Sequence, residues 1–451
     1  MKIPSGLYST AYPAAWLIFG MLFALAGAHF MAIPWPQFAT VALYSVAFAW
    51  VSVLAWRGKQ HIWPLTALDV LSAGFVLLVS ASLVFQGGIS GEDGKFGGYL
   101  LFMVIIPYLC GRLMRVPDIV LFMRITLAAG MTLPPLLLID RLTSPGREGG
   151  RWPFFGQDHG ALLAGVLLAA VLIALCVRIL DFQNLGEATK RPGPLFLYGL
   201  AGLLTVFLVW VTARGWLLSA LLGVAVACLS ARQHSIGRRV GLWAAILAVA
   251  GLSLSGLPKL DPYFGRMYAV PMNMGSTVEN MGSTVEPILG ATGPILGATG
   301  PILGEASCQP FKEGVNSVAM RWVLYQEAMA MFLENPIFGV GAARFGEQSC
   351  TGAMGFPHST ILQGGAELGL IGGGLLIGLM ILAAVTLARP FLSVRQGSNW
   401  SAHAFVLALF AAFQLGDQIY GNYFMSVGTW LLLGIAASMR AVGNREHMDR
   451  G

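Results

Sequence analysis

The sequence predicts an all-α polytopic membrane protein with about twelve transmembrane helices and one large loop outside the membrane. Three observations carry that prediction. Of 451 residues, 56% are hydrophobic and 11% are charged, whereas an ordinary soluble domain carries about 25% charged residues. Apolar runs long enough to cross a hydrocarbon core as helix, about 18 residues or more, recur along the chain. Lysine and arginine are sorted to one side of the connections between those runs, the bias that fixes topology in membrane proteins.

The runs fall at 12–33, 37–56, 64–86, 98–114, 117–139, 160–180, 195–213, 215–231, 240–258, 361–388, 400–418 and 425–442. The first is too long for a cleavable leader and lacks a small-residue cleavage site, so it is expected to remain as the first span. With both termini cytoplasmic, sixteen of the 27 Lys and Arg lie on the cytoplasmic side, among them Arg57, Lys59, Lys190, Arg191, Arg238 and Arg239. Ten lie opposite, five of them in the single long loop, where the rule does not apply. The last, Arg124, falls inside a span. The net charge of +6 therefore reports topology, and nothing in it points to nucleic acid. The expected organisation is nine helices over 1–258, a periplasmic loop over 259–360, three helices over 361–442 and a cytoplasmic tail at 443–451.

The loop has two halves. NMGSTVE at 273–279 and 280–286 is followed by PILGATG at 287–293 and 294–300 and by PILG at 301–304. Glycine in every copy and proline in the later ones exclude a coiled coil, so the repeat segment 273–304 reads as an expansion in a tolerant tether. Beyond it, Asn316 or Ser317 can cap a helix over 317–334. There Val318, Trp322, Tyr325, Met329, Phe332 and Leu333 form an apolar stripe, and Pro336 ends the helix. Such a helix lies on the membrane surface or against the bundle. Cys110, Cys176 and Cys228 fall in spans as packing residues. Cys308 and Cys350 share the loop and are candidates for a disulfide in an oxidising compartment.

Ionisable groups at a membrane boundary are costly unless they have partners or work, and three basic residues stand there. Arg214, in VTARGWLLSALLG, ends one span with no room for a loop before the next. Alone it reads as an arginine snorkelling at a helix end. Arg321 sits in the first turn of the loop helix, where a cation opposes the helix dipole and a bound anion would relieve the conflict. His358 stands where the tenth span begins. A helix N-terminus disfavours imidazolium and leaves the ring able to accept a proton, although the same position suits a capping or surface histidine. Weaker candidates are Arg147, Arg151, Gln157, Asp158 and His159 in one short loop, and Arg266 in DPYFGRMY. Asp69 and Asp417 lie within or near spans, and Glu367 lies nine residues beyond His358, where it lines a cavity or bonds to neighbouring helices. Asp158 and His159 have no third metal ligand at useful spacing, and GVGAARFG lacks the strand and spacing of a dinucleotide loop.

These residues and their surroundings resemble the O-antigen ligase and polymerase superfamily of bacterial envelope glycosyltransferases. The resemblance runs over about 195–385: an Arg–Gly turn, a long loop, then RW…ENPIFGVG…F…PHSTILQ…ELGLIGG. It implies a GT-C-type, metal-independent and cofactor-free glycosyltransferase in the bacterial inner membrane, its active site facing the periplasm. The implied donor is a glycan on undecaprenyl diphosphate. The implied acceptor is a sugar hydroxyl, either of a growing O-antigen or exopolysaccharide or of lipid A-core in lipopolysaccharide biosynthesis. By motif, Arg214 and Arg321 take the diphosphate-binding positions and His358 the catalytic one. Arg151 and Arg266 are further diphosphate contacts, and Asp158, His159 and Glu367 are candidates to line the cavity. Relatives often carry His–Asn where this chain has His358–Ser359. The PHSTILQ form leans toward a polymerase over a ligase. A twelve-span transporter or flippase is the alternative from another class. Against it stand the lack of related halves and the clustering of the candidates at one face.

Overall fold

The computed structural model describes residues 9–20, 45–47, 49–50, 52–53, 65–87, 93–143, 160–181, 194–211, 214–260, 317–349, 356–392, 399–424 and 426–448. Among them there is no strand. α1 (Ala11–Ala15) runs into a π-helical turn at Trp16–Gly20, and α2 is Ala67–Gly87. α3 (Asp93–Tyr99) passes through a π-helical stretch, Leu100–Ile105, into α4 (Ile106–Leu113). Then come α5 (Val116–Thr143), α6 (Gly160–Asp181), α7 (Pro194–Trp210), α8 (Arg214–Ser230) and α9 (Ile236–Leu260). After the long loop follow α10 (Ser317–Glu334), α11 (Phe345–Gln348), α12 (Thr360–Leu392), α13 (Trp400–Ile419) and α14 (Val427–Met448).

Seven of these stretches are long and apolar enough to cross a membrane: α2, α3 with α4, α5, α6, α9, α12 and α13. α7, α8 and α14 contain shorter apolar helices. They match the third to twelfth expected spans in place and order. The first two spans lie largely outside the described residues, as do the repeat segment 273–304, Cys308 and Cys350.

In lipid a helix can be apolar all round, so which helices lie inside is decided by packing. Every residue from Leu167 to Val177 in α6 and from Gly428 to Ser438 in α14 is buried. These two form the centre with α13, which packs along α6 and α8, while α14 packs along α4. α2 and α9 leave most of their apolar surface open and lie at the periphery.

At the end where α2 starts and α4 finishes, two ionisable groups meet. Arg112 Nε donates to Asp69 Oδ1 at 2.8 Å, and Tyr108 Oη donates to the same oxygen at 2.9 Å. The Thr66 N–H and hydroxyl fill Oδ2 at 2.7 and 2.8 Å. The carboxylate is saturated and stitches α2 to α4, so Asp69 has a structural role. Arg124 is exposed on the flank of α5, where a long side chain can snorkel.

α12 departs from the expected continuous span over 361–388. Gly369 (φ 64°, ψ −160°) breaks it into two arms. A Cβ on Gly373 would come within 3.2 Å of the Gly365 Cα, whereas residues eight apart in a straight helix are separated by about 12 Å. The chain therefore doubles back at Gly369. The long arm, from Leu370 to Leu392, still exceeds the ~20 residues a bilayer requires.

Candidate functional site

The break in α12 is where the ENPIFGVG and ELGLIGG segments meet. Breaking a helix frees carbonyls on one side and N–H groups on the other, and in a membrane protein these must be satisfied by protein. Val340 and Gly341 N–H donate to the Ala366 and Glu367 carbonyls at 2.9 and 2.8 Å. Leu370 and Ile371 N–H donate to the Pro336 and Ile337 carbonyls at 2.7 and 3.4 Å. The loop thus replaces the missing helical bonds one for one. It can approach only because Gly339 and Gly369, both at positive φ, face each other's backbone. A Cβ on Gly339 would lie 2.3 Å from the Glu367 carbonyl carbon, and one on Gly369 2.3 Å from the Ile337 oxygen.

Glu367 completes this join. Its Oε2 accepts from Ala343 N–H at 2.9 Å and Tyr423 Oη at 2.5 Å. Its Oε1 accepts from Gln363 Nε2 at 3.2 Å and Phe345 N–H at 3.3 Å. It is 0% exposed. Expected to line a cavity or to bond to neighbouring helices, it is bonded to the loop backbone, to Tyr423 and to its own helix. The carboxylate holds the turn at Ala343, a non-glycine residue at φ 64°.

The joined loop and short arm carry His358. Phe356 meets its ring edge-on at 4.6 Å between centroids. Its backbone is left-handed (φ 58°), a conformation histidine tolerates better than most residues. Ser359 follows as the N-cap of α12, its Oγ accepting from Leu362 N–H at 3.4 Å. Asparagine and serine are both strong N-caps, so the His–Ser pair keeps the local geometry that His–Asn would give.

The end of α13 reaches each of the three expected positions. Gln418 grips the start of α12. Its Oε1 accepts from Ser359 Oγ at 2.8 Å and Ile361 N–H at 3.3 Å, and its Nε2 donates to Thr360 Oγ1 at 2.7 Å. Its carbonyl accepts from Tyr325 Oη at 3.2 Å, which ties α10 to the same point. Burial raises the Tyr325 pKa, with Arg321 pulling the other way, so the hydroxyl remains a donor. One turn before Tyr325, the Arg321 guanidinium stacks on the Tyr420 ring, 4.6 Å from its centroid. The Tyr420 hydroxyl accepts from Gly215 N–H at 3.2 Å, in the first turn of α8. Only glycine fits there, since a Cβ would meet the Tyr420 ring at 2.2 Å. The backbone of Arg214 opens α8, and its side chain lies outside the description. Arg321, the Arg214–Gly215 turn and the cap beside His358 are thus gathered on residues 418–420.

Arg147, Arg151, Gln157, Asp158, His159 and Arg266 lie outside the described residues. Asp417 is buried and accepts from Thr429 Oγ1 at 2.5 Å. It faces a small, mostly apolar cavity between α12, α13 and α14 that neither His358 nor Arg321 lines. Gln418, Tyr420 and Tyr423 are the residues sequence reasoning missed. Their only signal was a cluster of polar residues, DQIYGNY, at the end of a span.

The profile of the O-antigen ligase family matches residues 199–377. The match covers less than half of the chain. No curated protein matches the chain. The matched segment holds Arg214, Arg321, His358 and the broken part of α12, while Gln418 and Tyr420 lie beyond it. A match to the O-antigen ligase family within a bundle of apolar helices points to a membrane glycan ligase or polymerase, and it favours bond formation over the transporter alternative.

Proposed function

We propose that the protein is a periplasm-facing, metal-independent glycosyltransferase of the GT-C type. It takes a glycan from undecaprenyl diphosphate and joins it to a sugar hydroxyl. The observation that carries the reading is the convergence on α13, where Tyr420 holds Arg321 beside the Arg214–Gly215 turn while Gln418 holds the cap next to His358. Two arginine positions and one histidine are a sufficient set for the reaction. The acceptor hydroxyl oxygen attacks the anomeric carbon and gives its proton to the His358 imidazole. The bond from that carbon to the phosphate oxygen breaks with inversion, and its electron pair leaves on the lipid diphosphate. Arg321 and Arg214 stabilise the growing charge. Arg151 and Arg266 are proposed as further contacts to the diphosphate, with Asp158 and His159 beside the sugar. The energy comes from the donor diphosphate, so no nucleotide is consumed.

The form PHSTILQ supports a polymerase of O-antigen or exopolysaccharide ahead of a ligase to lipid A-core. The test expresses His358→Ala in a strain lacking the native gene and resolves the surface glycan on a gel. Loss of product at normal membrane abundance is expected, and wild-type product would overturn the assignment. The null strain sorts the two outcomes. Caps of a single repeat mark a lost polymerase, and bare lipid A-core with lipid-linked polymer marks a lost ligase.

A further inference from the structure

α10 packs on the short arm of α12 with Leu324, Ala328 and Met331, together with Phe345 and Ala366. Glu327 is buried on this side as well and accepts from Ser349 Oγ at 2.6 Å. The opposite side presents Trp322, Met329 and Leu333, the last 67% exposed. At 100° per residue these three lie within a sector about 40° wide, and the only polar residue between them is Gln326. A helix lying in water would carry charge on that side. This one keeps Glu327 inside, turns its large apolar residues out and exposes an acid only at its last residue, Glu334.

Exposed Glu334, Asn335 and Pro336 close the helix, and apolar surface resumes beyond them. Ile337 and Phe338 follow, 57% and 65% exposed. The bonds from Leu370 and Ile371 to Pro336 and Ile337 then set it edge to edge with the start of the long arm of α12. Exposed Leu370, Ile377, Ile381 and Val385 continue it down that arm, which is long and apolar enough to cross a membrane. The apolar stripe of this helix therefore continues onto Ile337 and Phe338, and the exposed Glu334 and Asn335 that separate them from the apolar side of α10 suit the headgroup level.

We infer that α10 and residues 336–338 are embedded in the bilayer at the hydrocarbon–headgroup boundary, their apolar side solvated by lipid. An amphipathic helix of this kind, with a tryptophan on its outward apolar side, has the composition of an interfacial anchor. The embedding sets Arg321, next to Trp322, at the depth where lipid phosphates lie. This holds whether or not the transfer reaction is as proposed, since it rests on the exposed surface and its continuity with a span.

Nitroxide accessibility in lipid nanodiscs tests it with the full-length chain. Leu333→Cys and Phe338→Cys are labelled one at a time in a Cys308→Ser/Cys350→Ser background. Ile381→Cys serves as the lipid reference and Gln348→Cys as the aqueous one. Collisions with oxygen, which partitions into lipid, are compared with collisions with a water-soluble nickel chelate. The expected ratio at 333 and 338 is close to that at 381 and several-fold above that at 348. A ratio matching position 348 means water covers the surface and overturns the inference. Low collision rates with both quenchers mean that protein covers it, such as a second copy of this chain, and overturn it equally. Normal yield of monodisperse labelled protein at all four sites makes the readout independent of misfolding.

Discussion

Two arginines at opposite ends of the bundle are held in contrasting ways. Arg112 lies against Asp69 in a pocket that leaves it 3% exposed, and the carboxylate is completed by Thr66 and Tyr108. Arg321 lies on the face of Tyr420, and no carboxylate pairs with it among the described residues. The first charge is cancelled and serves to join two helices. The second is positioned by a neutral ring, an arrangement compatible with the diphosphate contact proposed for it. Ionisable groups in a membrane are functional candidates by default, but this contrast separates them: a saturated pair is architecture, and a charge held by uncharged neighbours is the stronger candidate for a site.

The largest expected effects break the comparison directly. Arg321→Ala should lower turnover by about 100-fold, as removal of a transition-state charge contact does, with membrane abundance unchanged. Asp69→Ala should do the reverse. It strands Arg112 in the interior at a cost of about 3–5 kcal/mol, seen as loss of folded protein, while each surviving molecule stays active. Asp69→Leu combined with Arg112→Leu should restore abundance, because it removes both charges. Equal abundance loss in the Arg321 and Asp69 variants would remove the distinction.

Smaller effects sharpen the account of how the site is held. Tyr420→Leu removes both the ring beneath Arg321 and the acceptor of the Gly215 N–H, for about a tenfold loss of turnover. Tyr420→Phe keeps the ring and should recover most of it. Gln418→Leu releases the cap beside His358 and costs about 1 kcal/mol. It should lower kcat with KM unchanged, since the proposed general base is displaced and the diphosphate contacts are not. The smallest expected effect is none: chelation by EDTA should leave turnover of the purified protein intact, and a loss restored by a divalent ion would refute metal independence.

Much of the helix order was legible because a membrane crossing needs a long apolar run, and the sequence displays run lengths directly. His358 and Arg321 were legible because charge at a boundary is rare in such a chain. The break at Gly369 was not, since ELGLIGG is as apolar as any span and hydropathy carries no information about φ. Gln418 and Tyr420 were hidden for another reason. Each is an ordinary polar residue at a helix end, and its meaning lies in contacts with residues 59 and 205 positions away. The apolar stripe of α10 was foreseen, but its direction depends on what solvates it.

The Gly339–Gly369 crossing also bears on how the chain is made. The short arm of α12 cannot take its doubled-back form until residues 336–341 supply the four bonds that the break leaves open. Those residues precede the arm and emerge first during synthesis. The long arm can enter the bilayer as an uninterrupted helix, with the break closing afterwards against a loop already in place. Assembly of this edge is therefore a late step, and substitutions at either glycine should appear as a defect in maturation before they appear as a defect in chemistry.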